Sequence, residues 1–289
     1  MRPNEIASVI AKTRTSISTV NFIALLIILC LFLVAVFADV ISPYDPYEVN
    51  MKEKLQKPNL NHLLGTDQLG RDVLSRIIYG TRISLFVSVF AIAIIMFLGI
   101  MFGSIAAYFG GKVDEVIMRF VDVLLSFPGL ILAITLVGIL GPSLKNLVIA
   151  IALTSWASYA RIVRSCVLSI KEMEFVTQAK VLGASDVYIL VKHVIPNAIA
   201  PIIVLATLDM GHIVLSITGL SFLGLGAQPP TPEWGTMLNE GKNFMTTAPW
   251  LTIFPGLAIM ITVLAFNLLG DGLRDLLDPR VREYASKHY

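Results

Sequence analysis

Apolar residues gather in long charge-free runs. The runs cover residues 20–38, 83–108, 123–144, 146–160, 197–220 and 251–269. A helix needs about 20 apolar residues to cross a bilayer. The pattern therefore predicts an all-α integral membrane fold with six transmembrane helices. The run at 146–160 is short and must borrow from its flanks. Between the first two runs, residues 39–82 open on the turn-rich Ser42-Pro43-Tyr44-Asp45-Pro46. From Asp72, Val73, Leu74, Ile77 and Ile78 recur at helical spacing, with Arg71, Ser75 and Arg76 opposite. This predicts an amphipathic helix at the interface that feeds the second span.

A different pattern fills residues 161–197. Phe175, Ala179 and Leu182 fall at i, i+4 and i+7, while Thr177, Gln178 and Lys180 face elsewhere. Gly183 supplies a residue able to end a helix in the left-handed conformation. Ser185 or Asp186 can cap the next helix. Val187, Leu190 and Val191 continue the apolar stripe until Pro196. The expectation is two short helices, bent at Gly183-Ala184-Ser185, forming a compact knob. Near the other end of the chain, prolines stiffen Gln228-Pro229-Pro230-Thr231-Pro232-Glu233-Trp234-Gly235. That segment suits a landing surface for an external partner, with Glu233 and Trp234 as contacts, or a brace for helix ends.

Composition turns these runs into a statement about solvent. Hydrophobic residues are 56% of the 289 and charged residues 15%, with a mean hydropathy of +0.78. A soluble core of this size would leave much of that surface facing water. Lipid is the solvent for most of the chain. The net charge of +2 carries no polyanion-binding signature and points away from nucleic acid.

An N-terminus on the inner side places most of the 22 Lys and Arg inside, among them Arg161, Arg164, Lys171, Lys180 and Lys192. The expected order is a cytoplasmic segment at 1–19, a first helix at 20–38 and an extracytoplasmic segment at 39–82. A transmembrane core at 83–270 and a cytoplasmic tail at 271–289 follow, N-in and C-in. The first run can also be read as a cleaved signal peptide, although it is longer than the usual apolar segment of one.

Candidate chemistry is sparse. Cys30 and Cys166 read as apolar thiols, in no metal spacing. Asp209 is the one acid inside a predicted span, and His212 follows at i+3. The pair lines a path, makes a structural hydrogen bond or couples protons. Two ligands are too few for a selective metal site, so no metal is expected. His62, His193 and His288 have no carboxylate at a telling spacing, and His193 suits the inner helix surface. No hydrolytic triad is legible. Gly99 and Gly103 suggest close helix packing, and Pro196 and Pro201 allow bending at the start of the fifth span. Gly110-Gly111-Lys112 is followed by Val113, with Ala106 where a phosphate loop has glycine. Energy must come from another chain or from an ion gradient.

Gln178-Ala179-Lys180-Val181-Leu182-Gly183-Ala184-Ser185, with His193-Val194-Ile195-Pro196-Asn197, resembles the EAA motif of ATP-binding cassette importer permeases. Thr177 stands at the motif's Glu position and Ile195 at its leucine. Three further segments resemble the dipeptide, oligopeptide and nickel permease family of the "C" type. They are Leu64-Gly65-Thr66-Asp67-Gln68-Leu69-Gly70-Arg71-Asp72, the 228–235 segment, and Phe266-Asn267-Leu268-Leu269-Gly270-Asp271-Gly272-Leu273-Arg274-Asp275 with Leu277-Asp278-Pro279-Arg280.

The resemblance implies a non-catalytic subunit of a bacterial cell-membrane importer. A homologous second permease would complete the path. Two cytoplasmic ATP-binding subunits would hold ATP and Mg, so no cofactor is expected on this chain. An extracytoplasmic binding protein would deliver di- or oligopeptides, nickel or metal–chelator complexes. It assigns coupling to Phe175, Gln178, Ala179, Lys180, Leu182, Gly183, Ala184, Ser185 and Asp186. The alternatives are a gradient-driven secondary transporter using Asp209 and His212, and a membrane hydrolase built on the same pair.

Overall fold

A computed structural model describes the backbone of residues 3–277 and the side chains of residues 19–275. Asp278-Pro279-Arg280, His288 and the end of the expected tail lie outside the described residues, as do the side chains of most of the 1–19 segment. The elements are α1 (Pro3–Val36), α2 (Ala38–Ile41), α3 (Val73–Phe109), α4 (Gly111–Leu125), α5 (Gly129–Leu140) and α6 (Leu144–Lys171). Then come α7 (Glu174–Val181), α8 (Asp186–Ile189), α9 (Ile195–Phe222), α10 (Trp234–Gly241) and α11 (Trp250–Leu277). Among the described residues the one β feature is an isolated bridge between Thr66 and Asp72.

Among the described residues, five helical segments are long and apolar enough to cross a membrane: Thr19–Val36, α3, α6, Asp186–Phe222 and Trp250–Asp275. A sixth candidate is the pair α4–α5, bent by 89°. The 123–144 run is thus not one straight helix. Pro128 disfavours a helical conformation at Phe127, and α4 closes at Ser126. The 12 residues of α5 reach only about 18 Å, well short of the roughly 30 Å hydrocarbon layer.

Charge misled the reading of length elsewhere. The 146–160 run is the N-terminal part of the 28-residue α6. Arg161 and Arg164 continue that helix because each meets an acid on α4. Arg161 Nη2 lies 2.6 Å from Asp122 Oδ1, and Arg164 donates through Nε and Nη2 to Asp114 at 2.6 Å each. The separate interfacial helix is also corrected. Residues from Val73 onward form the first turns of the 37-residue α3. Its polar face is internal, since Arg71, Ser75 and Arg76 are buried.

The chain divides into two compact units. The first comprises the chain up to Leu85, Thr207–Leu215 and the chain from Pro232. Here α1 and α10 pack on α11. The glycines of the 266–275 motif serve this packing: a Cβ at Gly270 would fall 2.7 Å from Leu208 Cδ2, and one at Gly272 would overlap the Asn21 amide. Asp39 accepts hydrogen bonds from Arg82 at 2.9 and 3.1 Å and from Tyr79 at 2.8 Å. The Arg82 and Tyr79 bonds hold its carboxyl below the usual carboxylate range. Their contribution is present above that range and is lost as pH falls through the lowered value.

The second unit comprises Phe86–Ala206 and Ser216–Thr231. Val121, Trp156, Ala157 and Ala160 form its apolar centre, with Leu98, Phe102, Met118 and Leu124 against them. Gly99 and Gly103 bring α3 onto α6 at Tyr159 and Ala160. Large apolar side chains such as Phe22, Leu29, Phe90 and Phe97 stay exposed on α1 and α3. Such surfaces are stable against lipid, not water.

Candidate functional site: a glycine-hinged elbow

After α6, the chain turns at Met173 into α7. Leu182 follows, and Gly183 takes φ +82°. Gly183 N–H donates to Lys180 O at 3.0 Å and Ala184 N–H to Ala179 O at 3.1 Å. This is the Schellman arrangement, which satisfies the last helical carbonyls and needs a residue without Cβ at the left-handed position. Ser185 then caps α8, its Oγ accepting from Tyr188 N–H at 3.4 Å. A π-helical turn at Leu190–Val194 carries α8 into α9. Pro196 stands in the first turn of α9, where a missing N–H does no harm.

The elbow is therefore a hydrogen-bonded object with two faces. Val176, Ile189 and Leu190 are buried. Val181 and Leu182 are 82% and 86% exposed, and Val187, Tyr188 and Val191 are exposed beside them along the chain. The expected stripe of Phe175, Ala179 and Leu182 does not face one way: Ala179 is half-buried, Leu182 points outward, and Phe175 is partly exposed. Leu182 keeps the α7 register, its N–H donating to Gln178 O at 3.0 Å, and its side chain is left uncovered.

Lys180 and Asp186 both reach Tyr108 at the end of α3. The Lys180 ammonium lies 5.4 Å from the ring centroid, and Tyr108 Oη donates to Asp186 Oδ1 at 2.9 Å. Gln178 and Ser185 are exposed and Ala184 half-exposed. His193 is half-buried, with its ring 5.6 Å from that of Tyr188.

The other candidate contacts fare differently. Glu233 and Trp234 are fully buried, so neither is a surface contact for an external partner. Glu233 caps α10 by accepting from Thr236 N–H at 2.9 Å, and Ser84 Oγ donates to its other oxygen at 3.2 Å. Trp234 donates to Ile77 O at 3.2 Å and packs where Gly80 has no Cβ. The segment is a brace. Asp209 is half-buried and His212 exposed. No group of three His, Cys, Asp or Glu among the described residues is placed to hold a metal.

Sequence reasoning missed one cluster. Arg71 and Arg76, each 1% exposed, share Glu240 on α10. Arg76 Nη2 lies 2.7 Å from Glu240 Oε2, and Arg71 Nε lies 2.6 Å from Asp67 Oδ2. His62 Nδ1 sits 2.9 Å from Asp72 Oδ1. The other oxygen of Asp72 caps the start of α3 by accepting from Ser75 N–H at 2.7 Å. The 64–72 motif is thus a folding device. Asp67 ties down its own loop through Leu69 and Arg71 N–H groups, and Trp250 Nε1 donates to Thr66 O at 3.1 Å.

The chain therefore combines apolar helices long enough to cross a membrane with a capped, exposed elbow between α6 and α9. Residues 99–283 match the binding-protein-dependent transport system inner membrane component family. Residues 18–58 match the N-terminal transmembrane domain of oligopeptide transport permease C. The chain belongs to this family of importer permease subunits, which are non-catalytic, with ATP hydrolysed by separate subunits.

Three relatives illustrate the range. The dipeptide transport system permease protein DppC of Alkalihalophilus pseudofirmus is 46% identical over 260 residues, 90% of this chain and 86% of the relative. The glutathione transport system permease protein GsiD of Pectobacterium atrosepticum is 45% identical over 258 residues, 89% of this chain and 86% of the relative. The nickel transport system permease protein NikC of Escherichia coli is 45% identical over 264 residues, 91% of this chain and 95% of the relative. Membership in this family supports the ATP-driven reading, not the gradient-driven one built on Asp209 and His212.

Proposed function

We propose that this chain forms, with a homologous second permease, a translocation path across a bacterial cell membrane. It crosses six times, N-in and C-in, with α4–α5 as the broken third span. The elbow of α7 and α8 inserts into a cytoplasmic ATP-binding subunit, where ATP and Mg are held. An extracytoplasmic binding protein delivers the cargo, a small peptide or nickel, the classes named for the relatives, or a metal–chelator species. The observation that carries this reading is the exposed apolar pair Val181 and Leu182 on a capped elbow. Such a pair is unfavourable in water and suited to a protein cleft.

Nucleotide binding that closes the ATP-binding subunits favours one elbow position, and so one access state of the path. The test is Leu182→Asp. Its exposure leaves folding intact, while a desolvated charge at an interface centre weakens binding about tenfold or more. Co-purification of the ATP-binding subunit falls accordingly. Gly183→Val, strained at φ +82°, gives the same loss by deforming the bend. Unchanged co-purification and unchanged transport in both variants overturn the assignment.

A further inference from the structure

Tyr108 is the best-connected side chain at the end of α3, and nothing in the family motifs includes it. The residue is buried, 4% exposed. The phenol donates to Asp186 Oδ1 at 2.9 Å, and Asp186 opens α8. The ammonium of Lys180, on α7, lies 5.4 Å from the ring centroid. Both arms of the elbow therefore hold one side chain. Lys171, the last residue of α6, holds it from a third direction. Its Nζ donates to Tyr108 O at 2.6 Å and lies 5.6 Å from the ring. A lysine there satisfies carbonyls left open at the end of α3 and meets the negative end of its dipole.

Just beyond, Gly110 and Gly111 take φ +64° and +55°, and a Cβ on either would meet nothing within 4 Å. Two consecutive left-handed residues in open space join α3 to α4 with no side chain to stiffen the joint. The rigid end of this arrangement is Tyr108, and all of these residues lie within one compact unit.

We propose that Tyr108 is the positioning residue that passes elbow movement to the end of α3, through its hydrogen bond to Asp186 and the ring's contacts with Lys171 and Lys180. This rests on the elbow-docking reading above. Without the phenol hydroxyl, the elbow still docks and ATP is still hydrolysed, but α3 no longer follows.

The test uses the full transporter assembled with its ATP-binding subunits. Cys30 and Cys166 are replaced by serine, and a nitroxide is placed on Lys112→Cys, an exposed position beyond the glycine pair. The probe is ATP with vanadate, so no cargo is needed. The parent and Asp186→Asn, which keeps an oxygen acceptor for the phenol, show a nucleotide-dependent change in label mobility. In Tyr108→Phe and Asp186→Ala that change is about fivefold smaller. ATP hydrolysis in Tyr108→Phe stays within about twofold of the parent, and the label change in the double variant is no smaller than in either single one.

A parent without the nucleotide-dependent change, or a Tyr108→Phe variant that keeps it in full, overturns the inference while docking stands. Additive losses in the double variant overturn it as well. Failure of the parent to hold an ATP-binding subunit overturns the docking reading and this inference with it.

Discussion

Replacing Glu240 by alanine destabilises the 64–76 and 234–251 region by about 3–5 kcal/mol, the range for breaking a buried ion pair by removing one partner. Arg71 and Arg76 are each 1% exposed and Glu240 has 15% of its side chain exposed. Two guanidiniums then face Asp67 alone, with one positive charge uncompensated. Water reaches them poorly, and an arginine does not shed its proton to escape. The measurement is thermal unfolding of the purified protein in detergent, with trypsin sensitivity of residues 39–72 as a local readout. The companion variant Arg76→Met/Glu240→Leu removes one charge of each sign and is milder than Glu240→Ala alone. If the double replacement is as damaging as the sum of the singles, the ion pair is not what holds this region.

Gly103→Leu has the second largest effect, and here backbone proximity is the cause. A Cβ at Gly103 would fall 2.9 Å from Val163 Cβ, 3.0 Å from Ala160 Cα and in overlap with Ala160 O. Backbone cannot yield as a flexible side chain does. The helices α3 and α6 must separate, and overpacking of this sort costs about 1–3 kcal/mol even for small additions. The apolar cluster of Val121, Trp156, Ala157 and Ala160 lies along the same helices and loosens with it. Gly256→Ala on α11 is the control, because a Cβ there meets nothing within 4 Å. It changes stability by no more than about 1 kcal/mol, in the favourable direction for a helix interior. Equal loss of folded protein for the two variants would remove close approach as the explanation.

The elbow was readable because its determinants are local. Gly183 at the bend and Ser185 as the cap act on their own neighbours within five residues, so spacing alone announces them. The helices were readable because apolar length is a property of a stretch, not of its surroundings. Both readings failed where a distant residue changes what a charge costs. Arg161 and Arg164 looked like the end of a span, yet Asp122 and Asp114 let α6 run on. Arg71 and Arg76 looked like a wet face, yet Glu240 takes them inside. Glu233 looked available to a partner, and Ser84 and Thr236 show why it is not.

Chain order thus specified lipid as the solvent, helices as the elements and a bent elbow before α9. Each follows from patterns a few residues long and from the requirement that backbone polar groups pair within a helix inside a bilayer. Burial of the charges, the true ends of the spans and the grip of Tyr108 on both arms of the elbow became definite only in three dimensions. An ionic side chain is costly or harmless according to the partner it meets, and the partners of Arg161, Asp186 and Arg71 at Asp122, Tyr108 and Glu240 stand 39, 78 and 169 residues away along the chain.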